Sequence, residues 1–461
     1  MWTMALLLAC GGSEGDPTSE TVPTYYQDAK TIIDTKCATC HQPGDVGPFP
    51  MTTAEEVATV AAISEMAIRS GSMPPFQPSR ECNTYTTDFG LTDDEMSVLV
   101  DFFAGGAPAG DAESAVDSSI PVSEFEADLV FTLPEPYTPT REPDDYRCQL
   151  IDLELTEPTY VVGIQVQPDQ RSIVHHTILY VSTADQVATY QGYDDAEEGP
   201  GWTCFGGPNG ENGGLDISIE DIQELLQNPD GMGGMAGTSR SIGSWTPGAV
   251  QGGMPAGTGM LLQPGEQLVV QMHYNTLSAS PVADQSTIAL QLADDVEFPA
   301  VGLPLIDLAW PTGIALLGEP MDIPAGSTDA TAEVVLERDS AFVQAFLGNA
   351  GIGPDETVRI HGGEVHMHEL GVVGTIERIA ADGSEQCVID YEDYDFNWQG
   401  RHYFADTIPF GPGDALRLHC QWDNSAENQP VIDGVALEPQ DVTWGEGTRD
   451  EMCLGSLYIT R

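Results

Sequence analysis

The 461-residue chain carries 73 acidic against 15 basic side chains, a formal net charge of −58. Such a surface repels nucleic acid and anionic lipid head groups and attracts cations and basic partners, so nucleic-acid binding is excluded. An apolar share of 41% excludes a disordered chain, while 49 glycines and 33 prolines favour loop-rich β architecture over long helices; the length suits about three domains at roughly 150 residues each.

Residues 1–21 read as a signal and polar tether. Leu7-Leu8-Ala9-Cys10-Gly11 resembles a bacterial lipoprotein signal, with Cys10 as the lipidated residue. The segment before it has no Lys or Arg, so an ordinary secretory signal behind a misplaced start is the other reading. Both export the protein to the bacterial cell envelope, as a periplasmic protein or an outer-membrane or surface lipoprotein. No other run approaches the ~18–20 apolar residues of a membrane span.

Residues 22–110 are expected to form a small all-α domain. Cys37-Ala38-Thr39-Cys40-His41 is a C-x-x-C-H, in which two thioethers hold a porphyrin and the adjacent imidazole ligates its iron. A redox dithiol is the other reading, but it needs a βαβ setting that is missing here. A helix leads from Tyr25 to Lys36. A second runs from Thr53 to Ser70 with Val57, Val60, Ile63 and Ile68 as its apolar stripe. A third opens at Thr92, with Glu95 three residues on as a capping box, and ends near Gly105. These flanks resemble class I cytochrome c. That likeness implies a sixth iron ligand from Met73, ahead of Pro74 and Pro75, with Met51 and Met66 as competitors. Met/His ligation suits an electron carrier.

Residues 111–141 read as a linker with room for one short strand. Two sandwich-like stretches follow, 142–297 and 298–461, in which short β-rich runs alternate with turn residues. The fold class expected is therefore mainly β: two consecutive antiparallel, jelly-roll-like sandwiches behind a small helical domain. On one strand His175 and His176 are adjacent. In a regular strand they face opposite ways, and both reach one ion only if the strand bends or lies at an edge. His273 sits alone on another strand. In the last stretch His366 and His368 are two apart and share a face, as a metal pair or as two hydrogen-bonding rings. Met452 follows far downstream in Asp450-Glu451-Met452-Cys453.

Val174-His175-His176-Thr177, Met272-His273-Tyr274 and Val365-His366-Met367-His368 together resemble the copper type II, ascorbate-dependent monooxygenases over about residues 142–461. The resemblance implies two coppers, one held by His175, His176 and His273 and the other by His366, His368 and Met452. Imidazoles suit copper, and the thioether favours Cu(I). It further implies disulfides Cys148–Cys204 and Cys420–Cys453; Cys82 and Cys387 have no counterpart. Two departures stand out. Glu364 replaces the arginine of the peptide-amidating branch, and Leu454 and Ser456 replace its Asn and Tyr. The cation for a substrate carboxylate is thus missing, and Glu364 is either an amine-binding group or a surface carboxylate. His361, His402 and His419 read as supporting or structural.

The expected activity is hydroxylation of an activated C–H bond of a small organic substrate by O2. By the same resemblance, the copper of His366, His368 and Met452 would be the reaction site and the other copper would store the second electron. Electrons arrive through the haem at Cys37, Cys40, His41 and Met73 from a redox partner or small reductant. The competing expectation is a non-enzymatic copper–haem electron-transfer or copper-binding lipoprotein.

Overall fold

The computed structural model describes residues 22–43, 47–76, 78–121, 125–204, 207–209, 239–246, 252–276, 279–313, 318–432, 435–445 and 447–461. The expected lipoprotein signal, with Cys10, lies outside them. The chain divides into two units: one runs up to Pro74 and resumes over Gly90–Pro121, and the other comprises Pro75–Phe89 and Val122–Arg461.

The first unit is helical. Three helical stretches, Tyr25–Ala29, Lys30–Ile32 and Ile33–Cys37, follow one another into the C-x-x-C-H and bury Tyr25, Ala29, Ile32 and Ile33. Thr53 caps Ala54–Thr59 through a reciprocal capping box with Glu56. At Val60 the backbone leaves helical geometry (φ −108°, ψ 10°), and a new helix spans Ala61–Arg69. That break re-phases the apolar stripe. Val57, Ala61, Ser64 and Ile68 turn inward, whereas Ile63, expected on the stripe, is 50% exposed. Thr92 and Glu95 form the expected capping box on Asp93–Ala104, which buries Leu99, Phe102 and Phe103 and ends at Gly105. Gly106 follows at φ +83°, a conformation that costs glycine little.

The second unit is built of strands, and the chain as a whole is mainly β, as expected. Its longest sheet runs in the order Leu129–Thr132, Thr287–Ala293, Thr159–Gln167, Thr258–Leu262, Phe298–Leu305, Leu454–Thr460, Val358–His366, His402–Phe410, with Gly252–Gly253 paired to Thr159–Gln167. Leu129–Thr132 falls within the expected linker. A five-stranded sheet, Trp202–Thr203, Asp144–Asp152, Gln267–Asn275, Val174–Ser182, Ser239–Trp245, packs on the first half of the long sheet. Val161, Val166 and Leu290 meet Leu179 and Val270 there in one core. A four-stranded sheet, Ala330–Glu337, Ala415–Trp422, Gly371–Ile379, Glu385–Tyr391, packs on the second half, where Ile360, Leu457 and Ile459 meet Ile376, Leu416 and Leu418. The two sandwiches therefore share a sheet. The join is the parallel pairing of Phe298–Leu305 with Thr258–Leu262.

Burial tracks these positions. Gln267–Asn275 lies in the middle of its sheet and is buried on both faces, while Ala330–Glu337 alternates as an edge strand with one wet face should. Pro75–Phe89 forms a strap over the second sandwich. Its backbone bonds to Asp390 on one sheet edge and to Tyr403 and Ala405 on the other, and Cys82 is disulfide-bonded to Cys387. Two strand edges that would otherwise present unpaired backbone are thereby covered. Cys148–Cys204 and Cys420–Cys453 pair as the resemblance implied. Among the described residues no helix is long and apolar enough to cross a membrane.

Candidate metal centres

The first histidine set owes its geometry to one irregularity. Val174 pairs with Tyr274 and His176 pairs with His273, so the ladder shifts register between Val174 and His176 and His175 is the extra residue. A bulge of this kind breaks the alternation that would point adjacent side chains to opposite faces. The Nδ1 atoms of His175 and His176 lie 3.3 Å apart, as do those of His176 and His273. All three residues present a nitrogen within 4.8 Å of the others.

His273 is held from behind. Its Nε2–H donates to Asp144 Oδ1 at 2.9 Å, and Asn275 Nδ2 donates to the same oxygen at 3.0 Å. This bond places the proton on Nε2 and leaves the Nδ1 lone pair facing the other rings. Tyr146 stacks on His273 with centroids 4.0 Å apart. Burial drives the imidazoles toward the neutral form: His175 falls to about 4, and His176 and His273 lie well below the usual histidine range, where neighbouring rings depress them further.

The second set uses the opposite nitrogen. The rings of His366 and His368 lie 5.1 Å apart at 80°. His366 Nδ1 is bonded to Gln399 Oε1, and His368 Nδ1 donates to Asp450 O at 3.0 Å, which leaves both Nε2 atoms free of these contacts. Burial lowers both rings, His368 to about 3. His366 pairs with Leu454 at the end of the ladder, and Met452 lies two residues before Leu454 in the chain. Glu451 locks this arrangement. Its carboxylate accepts from the backbone N–H of His368 (2.9 Å) and Leu370 (2.7 Å) and from Trp422 Nε1 (2.7 Å). Met452 is buried, and the next residue, Cys453, is tied to Cys420.

One ring lies between the sets. Phe396 stacks on His175 at 4.9 Å and meets His368 edge-on at 5.7 Å. Its carbonyl accepts from Gln399 Nε2, the residue that holds His366. Sequence reasoning gave Asp144, Phe396, Gln399 and Glu451 no role.

Glu364 is neither a free amine-binding group nor a solvated carboxylate. Arg401 Nη2 donates to it at 2.6 Å and to Ser456 Oγ at 3.0 Å. A cation therefore stands where Glu364 and Ser456 meet, supplied from the residue just before the His402–Phe410 strand. The other histidines of the second unit make separate contacts. His361 bonds Thr460, His402 sits among Phe76, Tyr85 and Tyr391, and His419 lies 3.8 Å from Glu333.

In the helical unit Cys37 and Cys40 are unbridged. Burial pushes the Cys37 thiol up to about 12, the reverse of a reactive redox dithiol. His41 Nδ1 donates to Phe49 O at 2.9 Å, leaving Nε2 as the available ligand atom. Gly47 lies so close that a Cβ there would stand 2.6 Å from that Nδ1. Met73 is half-buried just after the Ala61–Arg69 helix, Met51 is buried in the core, and Met66 is 65% exposed.

Residues 311–460 match the family model described as copper type II ascorbate-dependent monooxygenase, C-terminal domain. That match supports the copper monooxygenase family. The segment covers about a third of the chain and contains His366, His368 and Met452. A relative, "MOXD1 homolog 1" of Drosophila melanogaster, is 25% identical over 101 residues, 22% of this chain and 13% of that protein. The chain thus spans only a small part of that relative's length. Among solved structures, VP2 particles of infectious bursal disease virus overlap at TM-scores of 0.15 and 0.17, with 10% and 11% identity; each covers 74% of this chain, and 74% and 71% of the viral chains. Overlaps this poor have no bearing on the fold.

Proposed function

We propose that the chain is an exported dicopper monooxygenase that hydroxylates an activated C–H bond of a small organic substrate with O2, fed by a covalently attached c-type haem. The observation that carries this reading is the bulge at His175, which gathers three neutral imidazoles. An all-nitrogen donor set of that kind fits copper. His175, His176 and His273 hold one ion through Nδ1; His366 and His368, through Nε2, and Met452 hold the other. Copper at these sites supplies the oxygen and electron chemistry.

The chain's own groups do the rest. Asp144 keeps the proton of His273 on Nε2. Gln399 and Asp450 do the same for the Nδ1 protons of His366 and His368. Glu451 fixes the backbone on both sides of the second site. Phe396 fills space between the two sets and keeps water from it.

The residues of the helical unit fit a haem held by Cys37, Cys40 and His41, with Met73 as sixth ligand. His41 is oriented by Phe49 O, and burial keeps the neighbouring Cys37 thiol protonated. Haem there supplies one-electron transfer. The chain passes between the two units after Pro74, Phe89 and Pro121. These covalent passages make electron transfer from the haem unit an intramolecular event. The acidic surface repels ascorbate, an anion, which favours a redox partner or another small reductant as donor. Export and a lipid anchor at Cys10 complete the reading.

Metal analysis of the purified full chain tests it. About two coppers and one iron per chain are expected, with reduction of the haem followed by reduction of copper in stopped flow and substrate-dependent O2 uptake. Copper that binds without O2 uptake on any substrate would favour the electron-transfer lipoprotein instead.

A further inference from the structure

Next to Arg401 the second unit has a cavity of about 120 Å3 that is partly open to solvent. An enclosed apolar cavity of roughly 150 Å3 holds benzene, so this smaller, partly open one takes a ring-sized molecule with part of it standing in the mouth. Ile164, Ile242 and Met254 give it apolar walls, and Thr86 and Ser244 bring hydroxyl-bearing side chains to it. Arg401 is its one wall residue with a permanent charge. That charge is spent internally on Glu364 at 2.6 Å, with the two side chains only 12% and 20% exposed. A carboxylate ligand would have to take Arg401 from Glu364, and an ammonium would have to take Glu364 from Arg401. Either exchange leaves a buried charge unpaired.

The cavity adjoins the second histidine set through the chain. Its wall residues Gly400 and Arg401 follow Gln399, which holds His366 and whose backbone oxygen accepts from Thr246 Oγ1. Glu364 stands two residues before His366 on the same face of the strand.

We infer that this cavity binds the substrate, and that the substrate is a small neutral molecule with a ring-sized apolar body and one hydrogen-bonding group, the Glu364–Arg401 pair selecting against both carboxylates and amines. The inference rests on the reading of His366, His368 and Met452 as the reaction site, yet binding to the cavity needs no metal.

The test uses the full chain with haem attached and copper removed, and three probes of one shape: benzyl alcohol, benzylamine and benzoate. Ligand-observed NMR titration should show benzyl alcohol binding at least about tenfold more tightly than either ion. Gly253 lines the cavity, and a Cβ there meets nothing nearer than Val162 O at 3.9 Å. Gly253→Leu should therefore abolish that binding while copper uptake stays at the wild-type ratio. Glu364→Gln, which frees Arg401, should move the preference to benzoate by about tenfold. If that variant does not fold, the Gly253→Leu result decides alone. Equal binding of all three probes, no binding of benzyl alcohol, or binding that survives Gly253→Leu overturns the inference. None of these outcomes touches the copper reading, which falls separately if copper is not taken up.

Discussion

His176 lies directly opposite His273 across the ladder, although Val174, two residues earlier, lies opposite Tyr274. One residue too many on one strand thus turns two adjacent imidazoles toward a third. Asp144 then sets the tautomer of that third ring from behind. Asp144→Ala should weaken copper binding at this site by about 10- to 100-fold, the usual cost of removing a histidine's outer partner. The second site should be unaffected. Competition titrations with a copper chelator, read by the stoichiometry of tight and weak copper, check this.

Glu451 offers a harsher case. Three N–H donors converge on its carboxylate, from His368, Leu370 and Trp422. Burial nonetheless pushes its carboxyl up to about 8, against those bonds. Glu451→Gln turns an amide N–H2 toward donors that need an acceptor. The expected loss is about 1–3 kcal/mol of stability, measured as a lower urea midpoint at unchanged slope. Copper at the His366–His368–Met452 site should be lost with it, while His175, His176 and His273 keep theirs.

Much of the architecture was legible because it depends on local periods. His366 and His368 share a face by the two-residue repeat of a strand, and Thr92 announces a helix start by the glutamate three residues on. What stayed hidden depends on pairing over long sequence distances. The bulge at His175 exists only relative to Gln267–Asn275, and Asp144 meets His273 from 129 residues away. Arg401 reaches Glu364 across a ladder between two strands, and Cys82 finds Cys387 only because the strap crosses the second sandwich. The exposure of Ile63 is a smaller example: a helical repeat assumes an unbroken helix, and Val60 breaks it.

Acid should destabilise the metal-free protein over a definite window. Burial among aromatic rings pulls His402 down to about 4, although Glu364 and Asp88 act the other way. In the unfolded chain the same ring takes its proton near ~6.5. Between these values the unfolded state binds a proton that the folded state refuses, so stability falls as pH drops from about 6.5 to about 4 and is unaffected above that range. The term amounts to roughly 3 kcal/mol at most. Urea midpoints at pH 7, 5.5 and 4.5 should show the fall, and His402→Phe, which keeps a ring among Phe76, Tyr85 and Tyr391, should make it shallower.

The strap invites the last prediction. Pro75–Phe89 leaves the helical unit, bonds along both edges of the second sandwich and returns, and the Cys82–Cys387 bridge pins its middle. In Cys82→Ser the backbone bonds to Asp390, Tyr403 and Ala405 remain, but the unfolded chain loses a crosslink. Stability of the second unit should drop by about 2–4 kcal/mol. Neither histidine set touches the bridge, so copper stoichiometry should hold. The variant keeps all three passages of the chain between the units, so haem-to-copper electron transfer should remain independent of protein concentration.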